Sequence, residues 1–457
     1  MSGLREEAPA GSVEALAARF PPGFAWGVST SAYQIEGAVE ADGRGASIWD
    51  VFSRQDGRVR NGDSGATACD HYHRSAQDVE LMAGLGVRAY RFSVSWPRVM
   101  PSGTGEPNAR GLDFYDRLVD LLLVRGIRPV LNLYHWDLPQ ALQDRGGWAN
   151  PDMPYWFATY AAAVAERVGD RVQQWLTINE PQVFAFTGHA TGRHAPGLTD
   201  WPTALRVADA ALRSHAAARD RIRALVPGAR VGVALDLNLV EPASPSEEDT
   251  AAAARHHAIR QRWFLDPLFG GGYPPEAVAA HAAAGHLDGL QLEAPPHGGL
   301  DFLGVNYYTR ETIRADADSP FRIGFVRGDG SERTTMDWEV HPDGLSQVLR
   351  RVIAEYAPQA LMVTENGAAF PDVPDGDGRV PDEARRRYLE GHVAAAADAI
   401  DAGVPLEGYF VWSLLDNFEW DKGFEQRFGI VRVDYRTQRR TLKASGEWYR
   451  ELLAAAR

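Results

Sequence analysis

A single cysteine, Cys69, excludes an intramolecular disulfide framework and any zinc or iron–sulfur site built on clustered cysteines. No run of about 18 apolar residues is present, so no membrane-spanning helix is expected. The opening stretch "MSGLREEAPAGSVEALAARFPPGF" carries Arg5, Glu6, Glu7 and Glu14 and lacks the apolar segment of a secretory signal, so a cytoplasmic protein is expected. Basic residues are in deficit, 47 against 61 acidic, and the net charge of -14 opposes binding to nucleic acid or to an anionic membrane. There is no glycine-rich dinucleotide fingerprint: "GGG" at 270 to 272 has neither the spacing nor the strand-turn-helix setting, and no cofactor is expected.

What is present is alternation. Short β-branched and aromatic runs lie at 24–33, 89–96, 128–136, 173–180, 230–237, 301–308, 360–367 and 408–416. Between them stand Ala- and Leu-rich helical patterns, among them 75–86, 112–126, 154–169, 203–225 and 382–403. The Pro- and Gly-bearing stretches at 101–111, 241–249 and 371–383 are short and read as loops rather than linkers. Nearly continuous apolar strands, each followed by a helix, indicate a parallel sheet covered on both faces. Eight such units predict one α/β domain, a (β/α)8 TIM barrel with elaborated loops at the C-terminal face of the strands, over residues 19–457, preceded by an extension over 1–18. An open doubly wound sheet would share the alternation, and the count of eight is what separates the two.

In such a barrel the active site lies at the C-terminal ends of the strands. Those ends here carry Arg91 and Trp96, His135 and Trp136, Asn179 and Glu180, Asn306 and Tyr308, Glu365, and Trp412 and Asp416. Two of the runs, "WLTINEP" and "LMVTENG", end on a glutamate, one on the fourth strand and one on the seventh. Facing carboxyl groups are what glycosidic bond cleavage needs: one protonated near neutral pH to donate to the leaving oxygen, the other ionised to attack or to activate water. Pro181 stops the strand after Glu180, and Gly367 follows Glu365 where a special backbone conformation is expected.

The chain resembles the β-glucosidases of glycoside hydrolase family 1. The resemblance is carried by "FPPGFAWGVSTSAYQIEGA" (20–38), "YRFSVSWPRVMP" (90–101), "YHWDLPQAL" (134–142), "TINEP" (177–181), "NYYTR" (306–310), "TENG" (364–367) and "GYFVWSLLDNFEWDKGFEQRFGIVRVD" (408–434), in family order. It implies a retaining exo-β-glucosidase in which Glu180 is the general acid/base and Glu365 the nucleophile, their carboxyl groups about 5 to 5.5 Å apart. It further implies that Tyr308 and Arg91 attend the nucleophile, with Asn306 beside them. Gln34, His135, Asn179, Glu419 and Trp420 would contact sugar hydroxyls, Trp412 would stack on the ring, Phe428 and Trp136 would wall the pocket, and Trp338 would stand at the leaving-group side. The substrates implied are β-glucosides such as cellobiose, short oligosaccharides and aryl glycosides. Glu419 favours an unphosphorylated sugar, because a carboxylate near the C4 and C6 hydroxyls repels a 6-phosphate.

Two alternatives share these residues or part of them: a transglycosylating β-glycosidase, and a glycoside-binding protein that has lost catalysis, which would lack a carboxylate. His71 and His73 in "CDHYHR" fall on one face if the segment is extended, yet no third metal ligand of suitable spacing follows, so no metal is expected. One position departs from the family pattern: Gln182 stands where many bacterial members have tryptophan two residues after the acid/base, which predicts an altered leaving-group preference.

Overall fold

The computed structural model describes residues 12–456 apart from 291, 292, 294 and 329. Eight parallel strands close into a barrel: β1 (Ala25–Ser29), β2 (Ala89–Ser93), β3 (Arg128–Tyr134), β4 (Gln174–Asn179), β5 (Arg230–Asp236), β6 (Phe302–Asn306), β7 (Leu361–Asn366) and β8 (Leu406–Trp412). Each is buried along nearly its whole length. One side of every strand faces the barrel interior and the other faces helices, which is why the runs read as continuously apolar instead of alternating. The lower interior is plugged by residues such as Val130, Leu176, Phe302, Met362 and Phe410.

The eight expected strands correspond to these eight, each shorter than its expected run. The first run ends early because a short helix, Ala32–Ile35, begins there, and the last run breaks at Trp412 into a long loop. The helical patterns appear as His71–Leu85, Ala109–Val124, Met153–Val168, Trp201–Leu225 and Glu383–Asp401. A three-stranded sheet outside the barrel (Leu239–Pro242, Arg310–Ala315 and Ile323–Val326) carries no periodicity strong enough to be read from sequence, and it forms one rim of the mouth. Of the expected extension, residues 1–11 lie outside the described residues, while Ser12 caps a short helix, Val13–Ala17, by accepting from the Ala15 amide. Among the described residues no helix is long and apolar enough to cross a membrane.

The loop after β8 is held from below by a buried ion network. Asp416 accepts from Lys443 Nζ at 2.6 Å and from Arg427 at 2.7 Å. Lys443 also pairs with Asp372, which meets Arg385 at 3.0 Å, and Arg385 pairs in turn with Asp382. The side chains of Lys443, Asp372, Asp382 and Asp416 are fully buried. Burial would raise the Asp416 pKa, but Lys443, then Arg427 and Arg385, hold it below its ordinary 3.8. Its contribution to stability is therefore complete above that value and is lost as the pH falls through the lowered one. Removing one partner of such a pair leaves an uncompensated buried charge, so Lys443→Met is expected to destabilise the fold by about 3 to 5 kcal/mol, read as a lowered midpoint in thermal or denaturant unfolding. An unchanged midpoint would show that the network contributes nothing net.

Candidate active site

Both glutamates sit where the barrel loses its regular register. On β4 the pairing with β5 shifts between Leu176 and Asn179, and on β7 the pairing with β6 shifts between Val363 and Glu365. Such irregularities re-aim side chains at barrel rims. Glu180 follows β4 directly, with φ of +48°, and its amide donates to the Ala234 carbonyl at 2.8 Å before Pro181 opens the next helix. Trp136 and Trp420 also have positive φ, +76° and +48°. A left-handed conformation costs a non-glycine residue roughly 1 kcal/mol or more and persists only where packing over-determines it. Gly367 is required for a different reason from the one its sequence suggests. Its φ is not left-handed; a Cβ there would overlap the Trp412 carbonyl, so the two loops meet backbone to backbone.

The floor of the mouth is one hydrogen-bonded network. Arg91, wholly buried on β2, donates to Ser29 Oγ at 2.8 Å, to Asn179 Oδ1 at 2.5 Å, and to Glu365 Oε1. Tyr308 Oη donates to Glu365 Oε2 at 2.5 Å. The Asn306 amide donates to Glu180 Oε1 at 2.6 Å and to Asn179 Oδ1 at 3.0 Å, and its own carbonyl oxygen accepts from Thr364 Oγ1 at 2.6 Å. Because Asn179 Oδ1 serves two donors, its amide nitrogen must face His135, which accepts at Nε2 at 3.2 Å. The His135 proton then sits on Nδ1, a buried atom without a protein partner. Burial, and after it Arg91, holds this imidazole well below its ordinary 6.5, so it stays neutral.

The two carboxyl groups are treated differently by these neighbours. Burial pushes Glu180 well above the ordinary carboxylate range, and the charges of Glu365 and Asp236 push it further. Burial also pushes Glu365 up, but the Arg91 charge, then the Tyr308 hydroxyl and the Arg91 hydrogen bond, act in the opposite direction. Glu365 is therefore the more acidic of the pair, and a cation and a phenol serve it alone.

A cavity of about 600 Å³ opens above this floor, lined by Glu180, His135, Trp136 and Tyr308, by Trp412 at the end of β8, and by Glu419, Trp420 and Phe428 from the loop after it. The indole of Trp412 lies nearly parallel to His135 at 5.6 Å, and Trp420 lies against Trp136 at 4.6 Å. Trp136 is tied down by its Nε1–H to the Asn179 carbonyl at 2.9 Å. Trp338 packs on Tyr308 at 5.2 Å and Phe428 at 6.0 Å from the opposite side. Gln34 lies beneath Glu419: its amide nitrogen donates to Asn417 Oδ1 and the Phe418 carbonyl at 2.9 Å and reaches Glu419 Oε2 at 3.3 Å. Burial, then Asp421 and Glu365, pushes Glu419 up to about 8. Nearby Lys422 is already engaged by Asp421 at 2.9 Å, so it is not an unpaired cation waiting for a phosphate.

Two expectations change. His71 and His73 belong to the first turn of His71–Leu85, not to an extended segment. At helical spacing they diverge: His71 is 2% exposed and bonds Asp78, whereas the side chain of His73 is 61% exposed and bonds Asp70. Gln182 does not stand in the cleft. It is 1% exposed, its amide donates to the Asp236 carbonyl at 2.8 Å, and Val183 lines the cavity instead. Residues that sequence reasoning passed over include Ser29 and Thr364, which complete the network, and Asp236 and Arg260 on the cavity wall. Asp236 ends its strand on a polar residue as the other site strands do, and that was its one legible signal.

Comparison with known proteins agrees with this geometry. The model of glycosyl hydrolase family 1 matches residues 16–457. Beta-glucosidase A of Thermotoga maritima is 48% identical over 435 residues, spanning 94% of this chain and 97% of that relative. A 1,4-beta-D-glucan glucohydrolase of Thermotoga neapolitana is 46% identical over 439 residues, spanning 95% and 98%. The solved structure of the Thermotoga maritima β-glucosidase in complex with deoxynojirimycin matches with a TM-score of 0.91 at 47% identity, covering 96% of this chain and 99% of that one. A match from residue 16 to the last residue, with the barrel and both strand-end glutamates in place, means that the chain belongs to glycosyl hydrolase family 1.

Proposed function

We propose that this chain is a β-glucosidase that removes terminal non-reducing β-D-glucosyl residues with retention, using Glu365 as nucleophile and Glu180 as acid/base. The observation that carries the division of roles is the asymmetry of the pair: Arg91 and Tyr308 bond Glu365 and not Glu180. The Glu365 carboxylate attacks the anomeric carbon while Glu180 gives its proton to the departing oxygen, leaving a glycosyl ester. Esterification removes the negative charge of Glu365, which is one of the causes that hold the Glu180 pKa high. That pKa then falls, and Glu180 becomes the base that takes a proton from the water attacking the ester. Two inversions return the β configuration. Neutral His135, with Nδ1–H unpaired, and Glu419 offer a donor and an acceptor to the sugar, and the Trp412 face takes its apolar C–H surface. Cellobiose, short oligosaccharides and aryl glucosides are the substrates we assign, with residues 19–457 as the catalytic unit. A cytoplasmic site of action belongs to the same proposal, and the single thiol, Cys69, fits a reducing compartment.

Initial rates on p-nitrophenyl β-glucoside, α-glucoside and 6-phospho-β-glucoside provide the first test. Only the first should react, with β-glucose as the first product by proton NMR; α-glucose as that product would overturn the retaining assignment. Glu365→Gln should lower kcat by about four orders of magnitude or more on every substrate. Glu180→Gln should lose far more activity on cellobiose than on an aryl glucoside with an acidic leaving group, and should lose the alkaline limb of the pH profile, since only poor leaving groups need the proton. Tyr308→Phe removes a hydrogen bond to the ionised form of Glu365, so its pKa rises and the acid limb of kcat/KM moves to higher pH. The accompanying fall in kcat/KM should be about 10- to 100-fold. An unmoved acid limb would exclude Glu365 as the group titrating there.

A further inference from the structure

Beside Glu180, Glu365 and Arg91 stand a further carboxyl, Asp236, and a further guanidinium, Arg260, which take no step in the reaction. Asp236 closes β5 two residues after Ala234, which belongs to the barrel plug, so alternation along the strand turns Asp236 into the mouth. On one side β5 pairs with β4, and the Glu180 amide donates to the Ala234 carbonyl. On the other side Asp236 is the register partner of Asn306, whose amide donates to Glu180 Oε1 at 2.6 Å. Asp236 and Glu180 therefore stand close together in the wall of one cavity. Gln182, at the start of the helix that follows Glu180, donates to the Asp236 carbonyl at 2.8 Å and ties the two segments together.

The charges here are unevenly partnered. Glu365 is served by Arg91 and by the Tyr308 hydroxyl. Asp236 Oδ2 meets Arg260 at 3.5 Å, while its Oδ1 is buried with no hydrogen-bond partner. Glu180 meets no cation among the described residues, and its carboxyl accepts only from the neutral Asn306 amide. The remaining charges at the mouth are committed elsewhere: Glu311 bonds His256 at 2.8 Å, Asp421 holds Lys422 at 2.9 Å, and Glu419 lies against the Gln34 amide. His135 is neutral. Three neighbouring carboxyls thus share two guanidinium groups, and the carboxyl without one is the last to ionise. Burial pushes Asp236 up to about 7, with Arg260 opposing it and Glu311 and Glu365 adding to it. A charge that appears on Asp236 near neutrality disfavours a second charge on the carboxyl beside it.

We propose that Asp236 is a positioning residue that acts through Glu180: its negative charge, appearing as the medium turns alkaline, holds the proton on the acid/base. Arg260 is its counter-charge, and Asp236 exchanges its own proton with solvent alone, so neither step of the reaction gains or loses a proton through it. The inference rests on the reading of Glu180 as acid/base and deepens it, since the alkaline limit of the reaction then belongs to a pair of carboxyl groups and not to one.

The test is the dependence of kcat/KM on pH, on p-nitrophenyl β-glucoside and on cellobiose, for the wild type, Asp236→Asn and Asp236→Glu. Asp236→Asn keeps the shape and removes the charge, so the alkaline limb should move to lower pH by about half to one unit. Asp236→Glu restores an ionisable group and should return the limb toward its wild-type position. A limb that stays in place in Asp236→Asn, even with kcat/KM lowered equally at every pH, would make Asp236 merely structural and overturn the proposal. Glu180→Gln on the aryl glucoside separates this from the underlying reading: a limb that persists there does not belong to Glu180, and the acid/base assignment itself fails. Should Asp236→Asn not fold, Asp236→Ser carries the same expected shift.

Discussion

The mouth of the barrel is organised around one buried cation. Arg91 has no access to water, so its charge must be met by protein groups, and those groups come from β1, β4 and β7: Ser29, Asn179 and Glu365. An unpaired guanidinium in this position would cost several kcal/mol, so the three strands are tied to one relative arrangement. The same cation sets the chemistry. It contacts one of the two glutamates, which makes Glu365 the better anion and leaves Glu180, buried beside that anion, to keep its proton. Asn179 and Asn306 relay this order sideways, fixing the orientation of His135 on one side and the Glu180 carboxyl on the other.

A second buried charge network supports the part of the site that does not lie on strands. Glu419, Trp420 and Phe428 belong to the loop after β8, and a loop by itself holds side chains less closely than a strand does. Asp416, Lys443, Asp372 and Arg385 join that loop to the segment after β7 and to the C-terminal part of the chain, so its position is set by ion pairs with no solvent to compete. Gln34 then adds the last tie, from the end of the first strand's loop to Glu419. Left-handed backbone at Trp136, Glu180 and Trp420 is tolerated because these ties surround it.

The site divides into a closed, mostly aromatic end and an open, polar end. Trp412, Trp420 and Trp136 enclose the first. At the second, Asp236, Arg260 and Phe325 are spread along a wall. Burial thus increases toward Glu180 and Glu365, where it raises their pKa values, and decreases toward Phe325.

By itself the sequence determined the barrel and the pair of glutamates that end two of its strands. Eight apolar runs separated by amphipathic helices require a closed parallel sheet, and a glutamate ending an apolar run at its C-terminal end must come to the mouth; both are properties of local pattern. Tertiary structure decided everything that depends on which distant residue arrives beside which. His71 and His73 part because a helix, not a strand, carries them. Gly367 is glycine because Trp412 passes against it, a contact across 45 residues that no backbone preference announces. Gln182 withdraws from the cleft because the Asp236 carbonyl offers its amide a partner on the neighbouring strand. Spacing along the chain encodes the face on which a side chain lies, whereas its neighbours, its burial and hence its pKa are set only when the strands close.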